Sequence, residues 1–277
     1  MTITTRDKII DGLANNNNRI LWDKAAITTQ VVGQYGSLWL SSGTPAAGAV
    51  PGAAAYCTKA LTGSIQFDNQ TLPTTNYLAY HTILTSVANT NLEIHDRIAH
   101  MGGLNGTLLT AQTVGIDLNT INSGSAVPSA RLGAANYSDV LWLLEWYVAT
   151  GATASNALVN VTYDDGSTGN LATIAIGGTA IAASQCRQLV SAVNGRFIRG
   201  VNSVTLSAST GTAGSFGVTA TRQIAAMSAS NANRIDTFDW AQLGLPIVPN
   251  DACLFGLLMS TAANSGTIKG QGKIIRG

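Results

Sequence analysis

The sequence predicts an α+β protein that is mainly β, with a partly helical, loop-rich N-terminal half over residues 1–136 and a jelly-roll-like antiparallel β-sandwich over residues 137–277. Three observations predict it. Helical spacing of apolar residues is confined to the first half, and a Pro/Gly/Ala connector interrupts that half. From Ser138 onward the chain turns to short alternating runs separated by Gly, Ser and Asn turns. At 277 residues it is long enough to bury a sizeable core without disulfide support.

The first element is a helix. Thr4 or Thr5 caps it, Asp7 stands in its first turn, and Ile9, Ile10 and Leu13 recur at helical spacing before the asparagines at 15–18 break it. Residues 19–41 carry short apolar runs, RILWDKAAI and VVGQYGSLWL, which periodicity assigns to neither strand nor helix. SGTPAAGAVPGAAA, residues 42–55, reads as an extended connector able to run across a neighbouring subunit, and it nominates Pro45, Val50 and Pro51 for partner binding. Between Asn76 and Met101 the apolar spacing is helical again. A second helix is expected to start near Thr90, with Thr90 and Glu93 as a capping box and Gly102–Gly103 as its stop. A loop-rich stretch then runs to about Asn136, the expected boundary between the halves.

In the second half, VLWLLEWYV places Trp142, Leu144, Trp146 and Val148 on one side of a strand and Leu141, Leu143, Glu145 and Tyr147 on the other. The tryptophans share their side with aliphatic residues and are expected in the core, which leaves Tyr147 as the better candidate for contact with a partner. ALVNVTYDDGSTGNLATIAI reads as a hairpin turning through Asp164, Asp165 and Gly166. SVTLSAS, SFGVTATRQIAAM, ACLFGLLMS and GTIKGQGKII add further strands.

Composition excludes several functions. Charged residues make up 10% of the chain where about 25% is usual, and Ala, Gly, Ser, Thr and Asn fill the gap. Such a surface has little charge to keep copies apart and suits a chain that packs against neighbours. A net charge of +1 leaves no basic footprint for nucleic acid. Cys57, Cys186 and Cys253 are odd in number and form no CxxC pair, so they read as buried free thiols. No apolar run approaches the ~20 residues of a membrane span, and the first residues lack the pattern of a signal peptide, so a cytoplasmic start is expected.

The densest chemistry lies in EIHDRIAHMGG, residues 93–103, with His81 upstream. On a helix His95 and His100 fall on different faces, unlike the metal-binding HExxH pair, so a capped amphipathic helix with incidental histidines is the expectation. DDG lacks the spacing of a calcium loop, the glycine pairs lack phosphate-loop spacing, and no GxSxG elbow is present. No catalytic residue, metal ligand or cofactor is nominated.

RDKIIDGLANNNN, the GTPAAGAVP connector, EIHDRIAHMGGLNGTLLTAQTVGIDL and YSDVLWLLEWYVATGATASNALVNVTYDDGS together resemble a family of structural proteins encoded in tailed-bacteriophage genomes. The resemblance implies a non-enzymatic virion component and carries over no functional residue. The expectation is a head decoration or cement protein that binds the major capsid protein, forms a homo-oligomer such as a trimer, and is made in the host bacterial cytoplasm. The alternative is a tail fibre, baseplate or receptor-binding subunit that touches a host-surface glycan through Tyr147. An enzyme acting on surface sugars would instead need paired acids brought together by folding.

Overall fold

The computed structural model describes residues 3–15 and 18–277; Asn16 and Asn17, in the expected helix break, lie outside the described residues. The chain's regular secondary structure consists almost entirely of antiparallel strands. In chain order these are α1 (Arg6–Asn15), β1 (Arg19–Lys24), β2 (Tyr35–Ser37), β3 (Gly43–Thr44), β4 (Ala55–Tyr56), β5 (Asn76–Thr85), β6 (Thr90–Leu104) and β7 (Gln112–Asp117). There follow α2 (Ser129–Leu132), β8 (Val140–Val148), β9 (Asn156–Tyr163), β10 (Thr168–Asn170), β11 (Ile174–Ala175), β12 (Cys186–Leu189), β13 (Ile198–Leu206) and β14 (Ser215–Ala229). The last elements are β15 (Asp236–Asp239), α3 (Trp240–Leu243), β16 (Ile247–Val248), β17 (Leu254–Ser260) and β18 (Ile268–Arg276).

The chain divides into two compact units, and neither ends near residue 136. The first comprises Met1–Ala49, Thr58–Asp96 and Gln223–Gly277, and the second comprises Val50–Cys57 and Arg97–Arg222. A sandwich confined to residues 137–277 is therefore not what forms: each unit is a sandwich, and β6 and β14 each give one run of residues to each.

Strand order identifies the first unit as a jelly roll. In that fold the first strand lies beside the last, the last beside the third and the third beside the sixth, while the second, seventh, fourth and fifth make the other sheet. Its eight principal strands are β1, β2, β5, β6, β14, β15, β17 and β18, and the observed orders are β1-β18-β5-β15 and β2-β17-β6-β14. The core draws on both sheets, with Trp22, Leu78, Ile83 and Ile274 from one and Leu92, Ile94, Met227 and Leu258 from the other. Helix α1 covers a separate apolar patch of Ile9, Tyr77, Ala79 and Ile275, and Gly12 allows the helix to lie against Ile275.

The second unit repeats the scheme. Taking β6, β7, β8, β9, β10, β12, β13 and β14 in order, its sheets run β6-β14-β8-β12 and β7-β13-β9-β10. The second jelly roll is thus inserted between the fourth and fifth strands of the first. Trp142, Leu144 and Trp146 enter its core as the alternation of β8 requires. Trp146 stacks on Phe216 with ring centroids 5.2 Å apart, and Trp142 Nε1 donates to the Ile198 carbonyl at 2.9 Å.

Helix α1 forms where the sequence places it, and Lys8 N–H donates to Thr5 Oγ1. The expected helix over 76–101 does not form. Those residues are the long strands β5 and β6, because Thr90, Leu92 and Ile94 already alternate and burial on both faces hides the rest of the strand period. Thr90 Oγ1 bonds the Val87 carbonyl rather than a helix end. The hairpin through Asp164–Gly166 and the strands near 198–206, 215–229, 254–260 and 268–276 form as expected. The three cysteines are buried, and none is in a disulfide.

Candidate functional site

In the first unit, β1 borders a groove of about 500 Å³ lined by Arg19, Leu21, Thr44, Pro45, Ala60 and Thr62 among others. Arg19 is its one charged lining residue, and its guanidinium donates to Gln271 Oε1 at 2.8 Å. Lys24, 2% exposed, lies behind this wall, and its Nζ donates to the carbonyls of Ser41 at 3.0 Å, Pro45 at 2.6 Å and Ala46 at 3.3 Å. Burial lowers the Lys24 ammonium to about 8.

Residues 42–49 are therefore not a free connector. Gly48 N–H donates to the Trp39 carbonyl, Trp39 Nε1 donates to Ala49 O at 2.9 Å, and a Cβ at Gly48 would strike the Trp39 ring. Small residues let this backbone lie flat on its own unit. Pro45 is partly buried on the groove wall.

In the second unit, residues 50–57 strap β6. Ala55 and Tyr56 pair with His100 and Ala99, and the Pro51 carbonyl rests where Gly102 would carry a Cβ. Arg131 lies 4.8 Å over the Tyr56 ring and donates to Cys57 O at 2.7 Å. Pro51 is buried and Val50 is exposed.

Tyr147 is 3% exposed, so its nomination for partner contact is corrected. β8 is buried on both faces, which alternation alone does not reveal. Tyr147 OH accepts from Arg97 Nη2 at 2.9 Å and donates to Glu145 Oε2 at 3.1 Å. Arg97 and Glu145 pair at 2.7 Å, Thr219 Oγ1 donates to Glu145 at 2.5 Å, and Arg97 Nε donates to His100 Nδ1 at 2.9 Å. Burial alone would lower the Arg97 guanidinium, but Glu145 outweighs it and holds the charge in place. Burial, then Glu145, pushes the Tyr147 phenol well up, and burial with Arg97 lowers His100 to about 3. The cluster fixes protons and charges in one arrangement across β6, β8 and β14.

The histidines of EIHDRIAHMGG are separated by this fold. His95 lies in the first unit against Glu93 Oε2 at 2.9 Å, and His100 lies in the second. Burial lowers the His95 imidazole, and Glu93 offsets part of that shift. Among the described residues, no group of three or more His, Cys, Asp and Glu side chains is placed to hold a metal.

Sequence reasoning missed a polar ladder on the second unit. Thr162 Oγ1 donates to Asn202 Oδ1 at 3.1 Å, Asn202 Nδ2 to Asn160 Oδ1 at 2.9 Å, and Asn160 Nδ2 to Asn170 Oδ1 at 2.8 Å. It crosses β13, β9 and β10, and the Asn202 and Asn160 amides donate in the same direction across the strands. The signal was present as Asn160, Thr162 and Asn170 at alternate positions flanking the predicted turn.

No protein-family model matches the chain, and no curated protein matches it. Among solved structures it is similar to that of the infectious bursal disease virus Gx strain, at 11% identity over 93% of this chain and 79% of that one, with a TM-score of 0.17. It is also similar to the infectious bursal disease virus VP2 subviral particle, at 10% identity over 93% and 79%, with a TM-score of 0.16. Likeness at these scores is too slight to bear on fold or function.

Proposed function

We propose that the chain is a structural subunit of a tailed-bacteriophage virion, a decoration or cement protein that binds the major capsid protein and stabilises the head shell as a homo-oligomer, such as a trimer at threefold positions. The observation that carries this reading is the exposed groove beside β1, with one charged lining residue, in a chain whose charged residues are only 10% of the total. A charge-poor surface with a shaped groove suits permanent packing against other subunits. The interior polar cluster supports the same reading, since Arg97, Glu145 and His100 tie the strands of one sheet to one another. The phage assignment rests on the resemblance of the quoted segments, and with it the virion location and the synthesis in the host cytoplasm. Quantitative mass spectrometry of purified particles tests it. A copy number comparable to that of the major shell protein is expected; absence from the particle would sink the reading.

The amide ladder favours a second reading, a tail fibre, baseplate or receptor-binding subunit. Asn160, Asn170 and Asn202 present aligned, uncharged donors and acceptors that match the hydroxyls of a neutral glycan. A few copies per particle, with glycan-array binding lost in Asn160→Ala, would favour this position over the head.

A further inference from the structure

The edge of β1 is only half covered. Antiparallel pairing with β3 matches Asp23 to Thr44 and Lys24 to Gly43, and Ala25 N–H donates to Ser42 O at 2.9 Å. Backbone groups of a strand face its two neighbours at alternate residues, so Ala25 and Asp23 face β3, and Leu21 and Arg19 face the same way. Continuing the register would set Pro45 opposite Trp22 and Ala46 opposite Leu21. The pairing stops there instead. Lys24 Nζ holds the Pro45 and Ala46 carbonyls. The N–H and C=O groups of Arg19 and Leu21 are left facing the groove, with no partner strand among the described residues.

We propose that this groove accepts an extended peptide strand of a neighbouring polypeptide, paired to the backbone of Arg19 and Leu21. An open edge recognises backbone, and pockets beside it select alternate side chains. Leu21 is 45% exposed, and the lining is small or uncharged apart from Arg19. The fitting strand carries small or branched uncharged side chains and one acid to meet Arg19. A second copy of this chain is a poor donor, because each of its named strands is already paired within its own sheets. That the donor is another virion protein rests on the reading above; the preference for a strand does not.

The test titrates the ¹⁵N-labelled full chain with the acetylated, amidated peptide Ser-Val-Glu-Val-Thr-Val-Ser and with the same peptide N-methylated at alternate residues. Amide shifts at Arg19, Leu21, Thr44 and Thr62 are expected, with slowed hydrogen exchange at the Leu21 N–H. The N-methylated peptide should bind at least about tenfold more weakly. Ala60→Trp, which fills the groove without touching β1, should lose affinity by a similar factor, as should Leu21→Pro if its melting curve shows it folded. Saturating peptide without shifts at Arg19 and Leu21, equal binding of the methylated peptide, or undiminished binding by Ala60→Trp overturns the proposal. A dimer in sedimentation that Ala60→Trp abolishes would overturn the choice of donor. Particle copy number is measured separately, so failure of the virion reading and failure of the groove are distinguishable.

Discussion

At the scale of single residues, Glu145 and His81 matter most. Glu145 is the counter-ion of an arginine with no exposed surface, so Glu145→Ala leaves Arg97 buried without its carboxylate and should destabilise the chain by about 3–5 kcal/mol. Tyr147→Phe removes hydrogen bonds to charged partners and should cost about 1.5–3 kcal/mol while leaving partner or glycan binding unchanged. Urea unfolding of both variants checks the order. His81 is fully buried beside Gly270 and Gly272, the glycines that leave room for its ring on β18. Burial lowers its imidazole from 6.5 to about 4, with the Thr82 backbone opposing the shift. Below 6.5 the unfolded chain takes up this proton before the folded one. The corresponding stability is complete above 6.5 and is lost as pH falls toward 4, roughly 3 kcal/mol in all. His81→Leu should make the fall of unfolding free energy between pH 6.5 and 4 shallower, with the remaining slope carried by His95 and His100.

At the scale of elements, the segment 42–49 has the most to lose. It supplies β3, two of the carbonyls on Lys24 and the glycine beneath Trp39. Deleting it should strip the chain of cooperative thermal unfolding, because Lys24 would be buried with too few acceptors and Trp39 exposed. A native-like melt would show that these contacts are dispensable. The segment also shows where sequence reading runs out. The segment forms no helix, as its Pro/Gly/Ala composition suggested, yet nothing in it tells whether the surface it covers is its own or another chain's. β8 was legible because Trp142, Leu144 and Trp146 make a strong period of two, whereas β6 was not, since Glu93, His95 and Asp96 are buried polar residues that blur it. The groove was legible only as Pro45, since the open backbone of Arg19 and Leu21 depends on a pairing that no local pattern encodes.

At the scale of the whole molecule, the two jelly rolls differ in how they close. The second needs only residues within 97–222 for its first and last strands, with 50–57 as a strap. Residues 97–222 expressed alone should give a β-rich fold with a cooperative transition, less stable than in the full chain because Tyr56 and Pro51 no longer cover β6. A disordered fragment in circular dichroism would refute this. Alternation foretold strands and turns, but strand order is set by which ends meet, and that information lies in no window of the sequence.

The pairing of Arg19 with Lys273 carries a further consequence. Residues 20–272 lie between these partners, so the first unit cannot close its sheet until β18 has left the ribosome, whereas the strands of the inserted unit emerge before it. Until then β1 lacks β18 beside it, and its apolar residues Ile20 and Trp22 lack Ile268 and Ile274 of the same core. A chain truncated late therefore retains a finished inner sandwich on an unfinished outer one, a form a protease can distinguish from the completed subunit.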